Sequence, residues 1–113
     1  MNIASLKATN MELTPAIRQY VEEKLEYLDK LLPDNESIVA DVEVGKTTNH
    51  HNKGEIMRCE INLRVPGDLL RVEKTEKDLY KAIDKVKDHL AGIIKEWRGK
   101  QESKNRQPRP DKI

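Results

Sequence analysis

Two stretches alternate apolar and polar residues with a period of two, and they restrict the possible folds more than any other feature. Ile38, Ala40, Val42 and Val44 interleave with Val39, Asp41 and Glu43; Met57, Cys59, Ile61, Leu63 and Val65 interleave with Arg58, Glu60, Asn62 and Arg64. Successive side chains of a strand point to opposite faces, so each run makes a strand with one face for burial and one for water. A sheet built from them needs a cover on its apolar face and stays wet on the other. Between them, Gly45 to Gly54 (GKTTNHHNKG) reads as a long polar hairpin loop. Pro66-Gly67-Asp68 then turns the chain into a short third strand of the meander around Leu70 and Val72.

The cover is supplied by two stretches of helical period. In Thr75 to Lys100, Leu79, Ile83, Val86, Leu90, Ile93, Ile94 and Trp97 recur at helical spacing. Thr75 is the expected cap of its first turn, with Asp78 as an imperfect capping-box partner. An earlier helix begins at Thr14-Pro15, where threonine caps free amides and proline suits the first helical position. It runs to about Leu32, before Pro33, and buries Ile17, Val21, Leu25, Leu28 and Leu32, with Tyr20, Tyr27 and Leu31 widening that stripe. Residues 2–8 form a short first strand with Ala4, Leu6 and Ala8 on one face. The order β-α-β-β-β-α defines an α+β fold: a two-layer sandwich of a four-stranded sheet with two helices on one face. Residues 1–100 make one domain; residues 101–113 (QESKNRQPRPDKI) read as a basic disordered tail.

Charge narrows the function. The net charge of +1 conceals a polarity: residues 85–113 carry nine Lys/Arg against four Asp/Glu, and residues 1–84 carry twelve against sixteen. Such a chain has one end that attracts polyanions. The opposite face of the second helix carries Lys81, Lys85, Lys87, His89, Lys95, Arg98 and Lys100, with Arg64, Arg71 and Lys74 as second choices on or after the strands. Lysines and arginines in such a run neutralise phosphates and release counterions, which gives salt-sensitive affinity for nucleic acid. The bland alternative is a solvated face on which Asp84 and Asp88 offset Lys81, Lys85 and Lys87. Trp97, Tyr20 and Tyr27 fall on helix stripes, so structured RNA recognised by shape is expected ahead of base stacking.

Other chemistries find little support. His50, His51 and Cys59 lack tetrahedral metal-ligand spacing, and Cys59 belongs to an inward-facing set. No serine sits on a nucleophile elbow and no glycine pattern cradles phosphate, so neither an enzyme nor a cofactor nor a small-molecule substrate is expected. No apolar run approaches the ~20 residues needed to span a bilayer. With no secretory h-region and a single cysteine, a cytoplasmic protein, monomeric when free, is expected.

Two short runs resemble a known family. Asp78-Leu79-Tyr80-Lys81-Ala82-Ile83-Asp84 is similar to D-M-Y-x-A-I-D at the last helix of the ribosome hibernation promoting factors, also known as ribosome-associated inhibitor A or protein Y. Met11-Glu12-Leu13-Thr14-Pro15-Ala16-Ile17-Arg18 is similar to that family's V-E-I-T-P-A-L-R at the first helix. The resemblance covers residues 1 to about 100. It implies a domain likened to the double-stranded-RNA-binding fold that sits on the small ribosomal subunit and its rRNA, in the channel for messenger and transfer RNA. There it blocks translation and preserves idle ribosomes under stress. The chain resembles the short form, without the additional C-terminal domain of long members. It departs where the family continues D-K-L-x-R-Q-L: here Asp88-His89-Leu90-Ala91-Gly92-Ile93-Ile94 puts His89 and Gly92 where two basic residues are typical. Lys85, Lys87, Lys95, Arg98 and Lys100 are then expected to carry the positive surface. The rival class is a protein-interaction module that uses the acidic first helix and the wet sheet without RNA.

Overall fold

The structure is a computed structural model that describes residues 1–47, 54 and 56–105, the last two by backbone alone. The elements run β1 (Asn2–Thr9), α1 (Pro15–Asp29), β2 (Val39–Thr47), β3 (Ile56–Val65), β4 (Asp68–Glu76) and α2 (Leu79–Asn105). The strands form one sheet in the order β1-β2-β3-β4. β1 pairs parallel to β2, which requires a crossover, and α1 supplies it. β2–β3 and β3–β4 are antiparallel. Both helices cover one face, as the alternation in β2 and β3 requires.

The register follows the hydrophobic pattern. Ala40, Val42 and Val44 lie opposite Leu63, Ile61 and Cys59, and all six are at most 1–2 % exposed. A one-residue slip would turn each of them to water, so the burial pattern pins the pairing. Gly45 allows β1 to close on β2: a Cβ there would lie 2.7 Å from the backbone oxygen of Thr9. Pro66 and Gly67 link the paired residues Val65 and Asp68, and Gly67 has φ +79°, as the second central residue of a type II turn requires. Thr14 caps α1 by accepting a hydrogen bond from the Ile17 amide at 3.2 Å, with Pro15 in the first turn. From α1, Ile17, Val21, Leu25 and Leu28 enter the core; from α2, Leu79, Ala82, Ile83, Val86, Leu90, Ile94 and Trp97 do so.

Several boundaries differ from the expectation. β4 is a nine-residue strand that runs to Glu76, so Thr75 is a strand residue paired with Arg58 and not a helix cap. Asp78 takes over that role: its carboxylate accepts from the Tyr80 amide at 3.0 Å and its carbonyl from the Ala82 amide at 3.1 Å. α1 ends at Asp29 rather than Leu32. Ala4 and Tyr27 are exposed, so neither belongs to the core. α2 continues to Asn105, five residues past the expected end of the helix; residues 106–113 lie outside the described residues, as does most of the Gly45–Gly54 loop. No helix among the described residues is long and apolar enough to cross a membrane.

Gly92 sits inside α2, exposed, and a Cβ built on it meets nothing within 4 Å. Glycine in a helix interior costs about 1 kcal/mol relative to alanine, mostly through backbone entropy. Gly92→Ala is therefore expected to raise unfolding stability by about 0.5–1 kcal/mol, seen as a higher melting midpoint in calorimetry. A lower midpoint would mean that α2 needs a bend or a close neighbour at this position.

Candidate nucleic-acid interface

The cations of α2 divide by what already holds them. Lys81, Lys95 and Lys100 are exposed and make no hydrogen bond or ion pair with another described residue; exposed His89 is likewise unpartnered. Lys85 Nζ is hydrogen-bonded to Glu76 at the end of β4, and this contact first, then the fields of Lys85 and Lys81, holds the Glu76 carboxyl below its ordinary range. Lys87 Nζ meets Asp88 Oδ1 at 2.8 Å and stands 4.9 Å from the centre of the Tyr27 ring. Arg98 Nη1 donates to the Leu31 carbonyl at 2.9 Å, just beyond the C-terminus of α1, where a cation also meets the helix dipole favourably. Part of Arg98's chemistry is therefore a structural clasp between the helices.

Two of the three strand cations do not join this surface. Alternation along β3 and β4 puts Arg64 and Arg71 on the open face of the sheet, away from the helices. Arg71 is committed there, with Nε and Nη2 at 2.8 and 2.6 Å from Glu60 Oε2. Arg64 is exposed without a partner among the described residues. Lys74 shares the parity of Leu70 and Val72 and is paired with buried Cys59, so its position is on the helix side of the sheet. The ten expected contacts thus lie on two faces with a sheet between them.

That open face holds a feature that composition hides. Lys7, Glu43, Glu60 and Glu73 face one another in a row across all four strands. Like charges directly opposite repel. Arg58, one row away, answers three of them: Nη1 lies 3.2 Å from Glu43, Nη2 3.4 Å from Glu60, and Nε bonds Glu73. The Thr9 hydroxyl first, and Arg58 second, hold the Glu43 carboxyl below its ordinary range. Glu60 itself is buried at 8 % exposure, which only such pairing permits. With Lys7, Arg58, Arg64 and Arg71 set against Asp41, Glu43, Glu60 and Glu73, this face is charge-balanced. Sequence reasoning missed Lys7 and the keystone role of Arg58, which become visible only once strands are put in register.

Between the helices, the Tyr20 hydroxyl donates to Asp84 Oδ1 at 2.6 Å, and Lys24 Nζ reaches the same oxygen at 3.5 Å. The hydrogen bond to Asp84, then burial, pushes the Tyr20 phenol up to about 12. Burial likewise pushes the Cys59 thiol up to about 12, which leaves a thiol without nucleophilic character at neutral pH. Among the described residues, no group of three or more His, Cys, Asp and Glu side chains could hold a metal ion; His50 and His51 lie outside them.

Comparison with known proteins agrees with this architecture. The chain is 31 % identical over 113 residues to a ribosome hibernation promotion factor of Deinococcus radiodurans, all of this chain aligning with 58 % of that protein. It is 33 % identical over 105 residues to the factor of that name from Lactococcus lactis, covering 93 % of this chain and 52 % of the relative. The chain therefore spans little more than half the length of these curated relatives. The crystal structure of the Thermus thermophilus Protein Y N-terminal domain superposes with a TM-score of 0.73 at 40 % identity, covering 86 % of this chain and 99 % of that one. The profile of the Sigma 54 modulation protein / S30EA ribosomal protein family matches residues 5–102, so the chain belongs to that family.

Proposed function

We propose that this protein is a cytoplasmic, ribosome-associated translation inhibitor. It binds the small ribosomal subunit through rRNA in the messenger and transfer RNA channel and stabilises idle ribosomes under stress. The relatives' names, ribosome hibernation promotion factor and Protein Y, support the ribosomal partner. The observation that carries the reading in this chain is the set of exposed lysines on α2 that have no partner among the described residues: Lys81, Lys95 and Lys100. A lysine not already paired with a carboxylate meets a phosphate without first giving up a pair. The charge-balanced open face of the sheet offers a polyanion no comparable gain, so RNA lies against the helical layer. The mechanism is occlusion, a rigid wedge held by lysine–phosphate contacts, with no covalent step.

Sedimentation through sucrose gradients tests this directly. The protein is expected to travel with small subunits at low salt and to leave them as salt rises. Log affinity should fall linearly with log salt, with a slope of about −0.7 to −0.9 per phosphate engaged. Failure to co-sediment at ~50 mM salt, or binding indifferent to salt, would remove the reading.

A further inference from the structure

Tyr20, Lys24 and Tyr27 recur on the side of α1 that meets α2, with Leu31 just beyond its end, and Tyr80, Asp84, Lys87 and Arg98 answer them from α2. Of the three tyrosines and one tryptophan in the chain, two rings on this seam stay exposed, Tyr27 at 43 % and Tyr80 at 38 %. A single exposed ring on a surface is ordinary. These two are held in place and set among cations. Tyr80 meets Tyr20 edge-on, with ring centres 4.8 Å apart and planes at 89°. Tyr20 is in turn fixed by Asp84 and by Lys24, whose ammonium lies 4.6 Å from its ring centre. Tyr27 has the Lys87 ammonium over one face of its ring, 4.9 Å from the ring centre, which leaves the other face for a base, and Arg98 closes the far end of the seam.

We propose that Tyr80 and Tyr27 are stacking points for unpaired nucleobases of the bound RNA, with the exposed lysines of α2 on neighbouring phosphates. Rings fixed before binding lose little entropy when a base settles on them. Every base has a π-face, so such points accept any sequence, but only where bases are unstacked. A closed duplex presents phosphates and groove edges and no free base face. Tyr27 follows Tyr20 by seven residues, about 10 Å of helix, which separates the two points by a few nucleotides rather than one base step. The RNA chosen is thus a looped or single-stranded segment, a different choice from the structured RNA recognised by shape that the helix stripes suggested.

This inference rests on the ribosomal reading, and the test separates the two. Purified small subunits are titrated with the wild-type chain, Y27A/Y80A, Y27L/Y80L and Y27F/Y80F over a salt series, with melting midpoints measured in parallel. Loss of one stacked base costs about 5- to 150-fold in affinity. The alanine and leucine pairs are expected to bind at least about tenfold more weakly with an unchanged salt slope, and the phenylalanine pair to bind like wild type. The leucine pair keeps apolar bulk without a planar face, so it answers the question even if the alanine pair unfolds. Wild-type affinity in the leucine pair, or equal losses in the leucine and phenylalanine pairs, overturns the stacking role and leaves ribosome binding standing. Absence of binding by the wild-type chain overturns both.

Discussion

Arg58→Met is expected to lower unfolding stability by about 3 kcal/mol at pH 7, because one half-buried guanidinium answers three carboxylates, one of them buried. For a domain of this size that corresponds to a melting midpoint lower by about 12–24 °C. The reason is the glutamate row: without Arg58, Glu43, Glu60 and Glu73 face one another across adjacent strands with only Arg71 and Lys7 nearby. Methionine keeps most of the aliphatic bulk, so packing is not the main loss. The deficit should depend on pH in a defined direction. Glu43 is held below its ordinary value of 4.5 in the folded protein, so its contribution is present above about 4.5 and disappears as pH falls through the folded value. In the variant, acid protonates the row and removes the repulsion. The gap between wild type and variant should therefore be full from pH 7 down to about 5 and should narrow below that. Urea unfolding at pH 7 and pH 4 measures it; an identical gap at both would assign the effect to packing.

What could be read from residue order alone was what has a period. Alternation in β2 and β3 and the 3.6-residue recurrence in α1 and α2 specify which side chains are buried, and burial dominates the energetics of a small domain. Thr14-Pro15 was legible because the cap and its helix are adjacent in the chain. Thr75 misled for the opposite reason: Thr75 and Asp78 are both acceptable caps, and the choice is made by pairing of β4 with β3 through Glu76, a tertiary event. The site was legible as a type of surface and not as a set of contacts. Lys85, Lys87, Arg71 and Arg98 look alike in sequence to Lys81, Lys95 and Arg64, yet each of the first four is held by a neighbour. Three of those neighbours, Glu76, Glu60 and Leu31, lie 9, 11 and 67 residues away in the chain. Tyr27 misled by a small rotation, since a residue at the border of a stripe can turn outward when the helix beside it offers a lysine.

That division among the cations yields the strongest functional test. The triple change Lys81→Glu, Lys95→Glu and Lys100→Glu is expected to reduce affinity for small subunits on the order of 10²–10³-fold at about 0.1 M salt. The figure follows from counterion release: each phosphate contact is worth nearly a decade when salt is tenfold below the 1 M reference. The slope of log affinity against log salt should become shallower by about two to three in the same variant. Fold stability should stay within about 0.5 kcal/mol, because these side chains are exposed and release no partner. The matched control is Lys85→Gln with Lys87→Gln, which frees Glu76 and Asp88 and leaves two carboxylates facing the RNA. If only free lysines bind phosphate, the control loses no contact and its slope is unchanged, although affinity falls modestly from the exposed negative charge. If Lys85 and Lys87 exchange their carboxylates for phosphates, the slope falls by about two as well. Surface ion pairs are worth only about 0–1 kcal/mol, so such an exchange costs little, and the two slopes measured side by side decide it. A triple variant that keeps wild-type affinity and slope would instead move the RNA off the outer face of α2.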